Sequence, residues 1–142
     1  LDYTFWVIFP IKTQGKFAKM SFNTNCTIIG VVGGKGGTGK SVFAANFAIK
    51  IGMELKTPTL LIDADQKSCG DQNFITGLTD PKTLDQLCTF NGSIIAKNLP
   101  QICAIHPKAP LHYIAAVKGP GQILSVSSAI VLKQLAQLSH LY

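Results

Sequence analysis

The chain has 142 residues (15.2 kDa) of which 46% are apolar, enough for one domain with a sizeable core and too few for two ordinary ones. That apolar fraction argues against disorder, and no apolar run approaches the roughly 18 residues that span a bilayer. The net charge of +6 arises from 13 lysines and no arginine against seven acids; the lysines do not cluster, which favours a dispersed basic surface over a nucleic-acid patch.

Residues 3–11 form an apolar and aromatic run with Pro10 near its end, followed by Lys12, Lys16 and Lys19. A secretory signal puts its positive charge before the apolar stretch and small residues after it, which is the reverse of this order. Residues 1–24 are therefore expected to be a linker remnant or upstream extension, with Met20 as a plausible native start; a peripheral membrane anchor is the alternative. The domain proper is expected over residues 25–142.

Residues 27–33 (TIIGVVG) are an unbroken β-branched run, the pattern of a strand buried on both faces. A glycine-rich turn follows. Residues 41–51 then read as a mostly buried helix through Val42, Phe43, Ala45, Phe47 and Ile49, with Gly52 placed to stop it. Residues 59–62 (TLLI) predict a second buried strand, ending at Asp63. Asp80 and Pro81 are expected to open a helix running through Cys88. Residues 94–99 suggest a further helical turn, and residues 102–105 and 113–117 suggest short strands. Residues 125–142 read as a helix capped by Ser127 or Ser128, with Ile130, Val131, Leu135, Leu138 and Leu141 as its apolar face and no stop signal before the last residue. Strands alternating with helices predict an α/β fold with a mainly parallel sheet.

Residues 34–41 (GKGGTGKS) fit G-x-x-x-x-G-K-[ST] without a mismatch, after a predicted strand and before a predicted helix. The chemistry asks for these residue types. Phosphate oxygens need many donors converging on a small volume, and backbone N–H groups supply them only where no Cβ intervenes. Gly34, Gly36, Gly37 and Gly39, with Thr38 among them, allow that approach, and the following helix adds unsatisfied amides and a favourable dipole. Lys40 reaches the β- and γ-phosphates as a mobile point charge, and the Ser41 hydroxyl is suited to ligate Mg²⁺. Asp63 and Asp65 close the second strand, 25 residues from Lys40 to Asp65, and carboxyl ends of parallel strands open on one edge. A carboxylate placed there suits orientation of water or metal near the γ-phosphate.

KGGTGKS, followed by AANFA at residues 44–48 and DAD at 63–65, resembles the ParA/MinD family of P-loop ATPases with a deviant Walker A motif. The resemblance covers residues 27–142 and rests mainly on 33–66. It implies a P-loop NTPase fold, three-layered α/β/α, with ATP and Mg²⁺ as cofactors. It also implies a homodimer in the ATP state, in which Lys35 crosses the interface to the partner's phosphates. Asp65 would orient or deprotonate the attacking water, and Asp63 would belong to the outer shell of Mg²⁺ or to a switch segment. An arginine-free chain cannot supply its own arginine finger, and a lysine delivered from a partner is a reasonable substitute. The family often has proline after the second aspartate, whereas this chain has Gln66. GDQNFITGL at residues 70–78, followed by PKTLDQL at 81–87, is similar to the MinD-like pilus-assembly ATPases called CpaE or TadZ; other MinD-like positioning ATPases, flagellar-number regulators among them, are the alternative.

The implied role is a nucleotide-dependent dimer switch in positioning or assembly of the pilus, division-site or partitioning type. Its setting would be cytoplasmic, or peripheral at the inner face of the membrane or a pole. Partners would be proteins of a pilus, polar or division complex, and no surface for DNA or membrane is assigned by these residues. A non-hydrolysing ATP-binding scaffold and an ATP-dependent phosphoryl-transfer or ligase-type enzyme are the alternatives. The last acid is Asp85, so a Walker B strand and the adenine-binding residues are expected beyond Tyr142. Cys26, Cys69, Cys88 and Cys103 form no C-x-x-C pair and suit a reducing compartment. His106, His112 and His140 lack metal-ligand spacing and are expected to fill surface or loop positions, and Phe43 and Phe47 to be core.

Overall fold

The computed structural model describes residues 4–10, 26–33, 35–65, 71–119 and 121–142, a mixed α/β arrangement around one mixed sheet. Its strands are β1 (Thr4–Pro10), β2 (Cys26–Val32), β3 (Thr59–Asp63), β4 (Lys82–Thr83), β5 (Ala104–Ile105) and β6 (Leu111–Ala115). Its helices are α1 (Lys40–Leu55), α2 (Asp71–Thr76), α3 (Leu84–Thr89), α4 (Leu99–Ile102) and α5 (Ser128–Leu138), with a 3₁₀ turn at Ala96–Asn98. The strand order is β2-β1-β3-β6-β4, and β5 pairs with β6.

Every residue of β3 and β6 is buried, because helices cover both faces of the sheet. Alternate side chains divide between two cores. Leu60, Ile62 and Ile114 pack with Leu84, Leu87, Ile102, Leu135 and Leu138 on the face of α3, α4 and α5. Leu61, Leu111 and Tyr113 pack with Ala44, Ala45 and Ala48 of α1 on the other. Each large apolar side chain so enclosed contributes about 1.5–3 kcal/mol, and small alanines let α1 lie close to the strands. The Thr59 hydroxyl donates to the Ala48 carbonyl (2.8 Å) and fixes that approach.

β3 and β6 run parallel, as expected; β4, in a segment expected to be helical, also runs parallel to β6, but three of the five strand pairings among the described residues are antiparallel, so the sheet is mixed and not mainly parallel. β1 departs from the expectation: the segment read as an upstream extension supplies a strand to the sheet. It lies antiparallel to both β2 and β3, so those two are parallel to each other but one strand apart. Their carboxyl ends still share an edge, since Thr4 pairs with Val32 and Phe5 with Asp63. The strand spacing puts them about 10 Å apart. The rest of residues 1–24 lies outside the described residues.

Several element boundaries differ from expectation. α1 passes through Gly52 and ends at Leu55, followed by Lys56, whose φ of 55° makes the left-handed cap. Gly52 serves close packing instead: a Cβ there would lie 2.7 Å from the Pro110 carbonyl oxygen. Ala44, Ala45, Ala48 and Gly52 are the residues α1 buries, while Val42 and Phe43 are more than half exposed. Phe43 stacks on Phe47 at 5.5 Å, so the pair is not wholly core. α3 begins at Leu84 and not at Pro81, because Thr83 and Gln86 form a reciprocal capping box. Asp80 pairs instead with Lys82 (2.8 Å).

α5 stops at Leu138, where the Ser139 hydroxyl donates to the Ala136 carbonyl (2.7 Å). The chain then returns to the sheet. The Tyr142 hydroxyl is hydrogen-bonded to Nδ1 of His112, with the rings edge to face. His112 is therefore a buried sheet residue, held toward its neutral form by desolvation. His106 is a turn residue whose Nδ1 accepts from the Lys108 and Ala109 amides.

Candidate functional site

The loop between β2 and α1 owes its shape to two residues in the left-handed region, Gly37 (φ 75°) and Gly39 (φ 78°), a conformation that L side chains rarely adopt. Gly39 is also the N-cap of α1, so no side chain caps that helix, and its first turn holds no acid. The leading N–H groups of a 16-residue helix are thus left without side-chain partners at the mouth of the loop.

The loop encloses a cavity of about 290 Å³ lined by Gly36, Gly37, Thr38, Gly39, Lys40, Ser41 and Val42 on one side and by Asp65, Asp71 and Ile75 on the other. A Cβ placed on Gly36, Gly37 or Gly39 would meet nothing within 4 Å, so the glycines face open space and not packed protein. The size lies at the lower end of ligand pockets, which suits a phosphate chain more than a whole nucleotide.

Lys40 curls over the loop that precedes it. Its Nζ donates to the Lys35 carbonyl (2.9 Å) and to the Thr38 hydroxyl (3.4 Å), which itself donates to that carbonyl (3.3 Å). The stem of Lys40 lies against Gly33, where an added Cβ would sit 2.6 Å from its Cδ. Gly33, read from the sequence only as the end of a strand, is thus what lets the lysine fold back. The side chain of Lys35 is exposed and does not line the cavity. Gly34 lies outside the described residues.

At the end of β3 the two aspartates part company. Asp65 is almost fully buried and lines the cavity. Asp63 lies behind it at 1% exposure, and its Oδ1 accepts the Asp65 backbone N–H at 2.9 Å. Burial pushes the Asp63 carboxyl up to about 7; the charges of Asp65 and Asp71 add to that, and the Asp65 N–H opposes it. Asp63 is therefore a support for the turn that carries Asp65.

The structure adds residues to which the sequence assigned no role. Asp71 and Ile75 reach the cavity from α2, and Gln72, at 0% exposure, donates from Nε2 to the Ser41 carbonyl (3.0 Å). Six residues are too few to show helical periodicity. The available signal was Asp71, an acid in a helix's first turn.

The lining chemistry fits a hydrated divalent cation: Ser41 brings a hydroxyl and Asp65 and Asp71 bring carboxylates to one hollow, and hard oxygen ligands are what Mg²⁺ takes. Among the described residues, no three His, Cys, Asp or Glu side chains converge as a metal site of their own. Nor is any helix among them long and apolar enough to cross a membrane. Comparison with protein-family models, with curated proteins and with solved structures returns no match to this chain.

Proposed function

We propose that this chain binds Mg-ATP in the loop between β2 and α1 and hydrolyses it as a nucleotide-dependent dimer switch of the ParA/MinD type, on a P-loop NTPase fold. The pilus-assembly branch of that family is the setting the sequence favours. The observation that carries the reading is the posture of Lys40. Its ammonium lines a glycine-walled hollow and donates to the Lys35 carbonyl and the Thr38 hydroxyl of its own loop, acceptors whose place a phosphate oxygen can take.

In this reading the amides of residues 36–41 and Lys40 bind the phosphates and fix their orientation. Ser41 would hold Mg²⁺, which when bound neutralises charge on the β- and γ-phosphates. Asp65, steadied through its backbone by Asp63, holds a water beside the γ-phosphate and accepts its proton. The exposed ammonium of Lys35 is left for a second copy of the chain, whose phosphates it would contact. Exchange of ATP for ADP then biases a two-state contact between copies, and its output is positional or an assembly step.

Equilibrium titration of the full-length protein with ATP, with and without Mg²⁺, tests the reading. Binding should be detected, and Lys40→Ala should weaken it by a hundredfold or more, about 3 kcal/mol, without unfolding the chain. Undetectable binding by the folded wild type would end the proposal. Binding without turnover, unchanged by Asp65→Ala, would replace the hydrolase with the scaffold reading.

A further inference from the structure

Gln72 is a fully buried amide side chain that joins α2 to the loop helix, and the site as described does not use it. Its Nε2 donates to the Ser41 carbonyl at 3.0 Å, across 31 residues of sequence. Its Oε1 is buried with no hydrogen-bond partner among the described residues. The hydroxyl of Thr76 donates to the Gln72 carbonyl (2.6 Å), bracing the same turn of α2 from within. Asp71, the neighbour of Gln72 in the chain, lines the same cavity as Ser41.

We propose that Gln72 is a positioning residue for the cation-binding arm of the site: by tying α2 to the Ser41 carbonyl it sets the Ser41 hydroxyl and the Asp71 carboxylate across one hollow. The inference rests on the Mg-ATP reading above. Both groups belong to elements that could shift separately, one on the first turn of α1 and the other on a six-residue helix. Gln72 is the described side-chain hydrogen bond that couples the two. The loop amides and Lys40, by contrast, take their positions from the loop itself. Gln72 should therefore govern the response to Mg²⁺ and leave metal-free phosphate binding alone.

The amide is costly for the fold. A buried oxygen without a donor disfavours folding, whereas methionine fills nearly the same volume without one. The Ser41 carbonyl keeps its place in the α1 ladder when Gln72 is replaced. Gln72→Met should thus retain or raise the melting temperature while severing the tie. A residue important only for packing would behave oppositely, lowering stability and leaving the metal response untouched.

The experiment measures ATP affinity of the full chain in EDTA and in saturating Mg²⁺, together with thermal melts. In wild type, Mg²⁺ should tighten ATP binding by at least tenfold. In Gln72→Met, metal-free affinity should stay within about twofold, and the Mg²⁺ enhancement should fall about tenfold, as for other residues that orient metal ligands. Ser41→Ala should lose the enhancement by itself, and the double variant should lose no more than Ser41→Ala does. Should Gln72→Met fail to give a cooperative melt, Gln72→Asn, one methylene too short for the Ser41 carbonyl, carries the same comparison. Equal weakening with and without metal, or an unaltered enhancement, overturns the role of Gln72 while the nucleotide site stands. A wild type that binds ATP with no gain from Mg²⁺ also overturns it, and one that binds no ATP overturns both.

Discussion

Asp63 shows how one side chain can serve a site it does not touch. Its carboxyl is raised to about 7 chiefly by burial, so folding disfavours the ionised form. Below about pH 4 both folded and unfolded states are protonated, and the group's effect on stability is neutral. As pH rises toward 7 the unfolded chain ionises first, so stability falls; above 7 the two states again titrate alike. The full loss is on the order of 4 kcal/mol. His112 works in the other direction, since burial lowers its pKa and its contribution is lost as pH falls below about 6.5. The comparison that isolates Asp63 is therefore with Asp63→Asn, which keeps an oxygen for the Asp65 N–H. In urea melts the variant should be more stable than wild type at pH 7.5, and the gap should close near pH 4. A variant less stable than wild type at pH 7.5 would show the carboxylate ionised and held by a partner.

Among the elements, α1 carries the clearest conflict between local preference and packing. Gly52→Ala should gain about 1 kcal/mol in helix propensity. The new methyl would meet the Pro110 carbonyl oxygen at 2.7 Å and the Thr57 carbonyl oxygen at 3.1 Å, both backbone atoms. Overpacking of that kind costs typically 1–3 kcal/mol, so the net change should be a melting temperature lower by a few degrees. An unchanged or higher value would mean that the connection around Pro110 yields freely. The same glycine shows what could be read from sequence. Reading it as a helix stop rested on local chemistry, whereas its actual neighbour lies 58 residues away and becomes visible only after folding. β2 and β3 were legible as short β-branched or apolar runs bounded by turn residues, although β2, expected to be buried on both faces, has no fully buried residue; β6 was placed two residues late, at 113–117 in place of Leu111–Ala115. α3 was placed too early, although the Thr83–Gln86 box that starts it is itself a local signal. The loop residues were legible for being consecutive. Asp71 and Gln72 were not, because their nearness to Ser41 depends on how α2 lies against α1.

For the molecule as a whole, the decisive feature is the position of β1. Among the described residues β2, which leads into the glycine loop, has β1 as its strand neighbour, through seven paired residues from Thr4↔Val32 to Pro10↔Cys26. A chain lacking residues 1–10 should therefore lose hydrogen-exchange protection along residues 26–32 and with it the capacity to hold the loop against β3. Protection at 60–63 should fall less, since β6 still pairs with β3 on the other side. Intact protection of residues 26–32 in the shortened chain would show that another segment takes over the pairing.

The antiparallel insertion also bears on how the chain assembles over time. Residues 4–10 leave the ribosome before either of the strands they pair with, yet one of their two ladders waits for residues 60–63 and cannot close until α1 has been made. Until then the nascent strand has one edge satisfied and one open to any extended chain nearby, the circumstance in which β-segments pair with the wrong partner. A slow step in maturation, sensitive to crowding and relieved by chaperones that shield exposed strand edges, is what such an order of events entails.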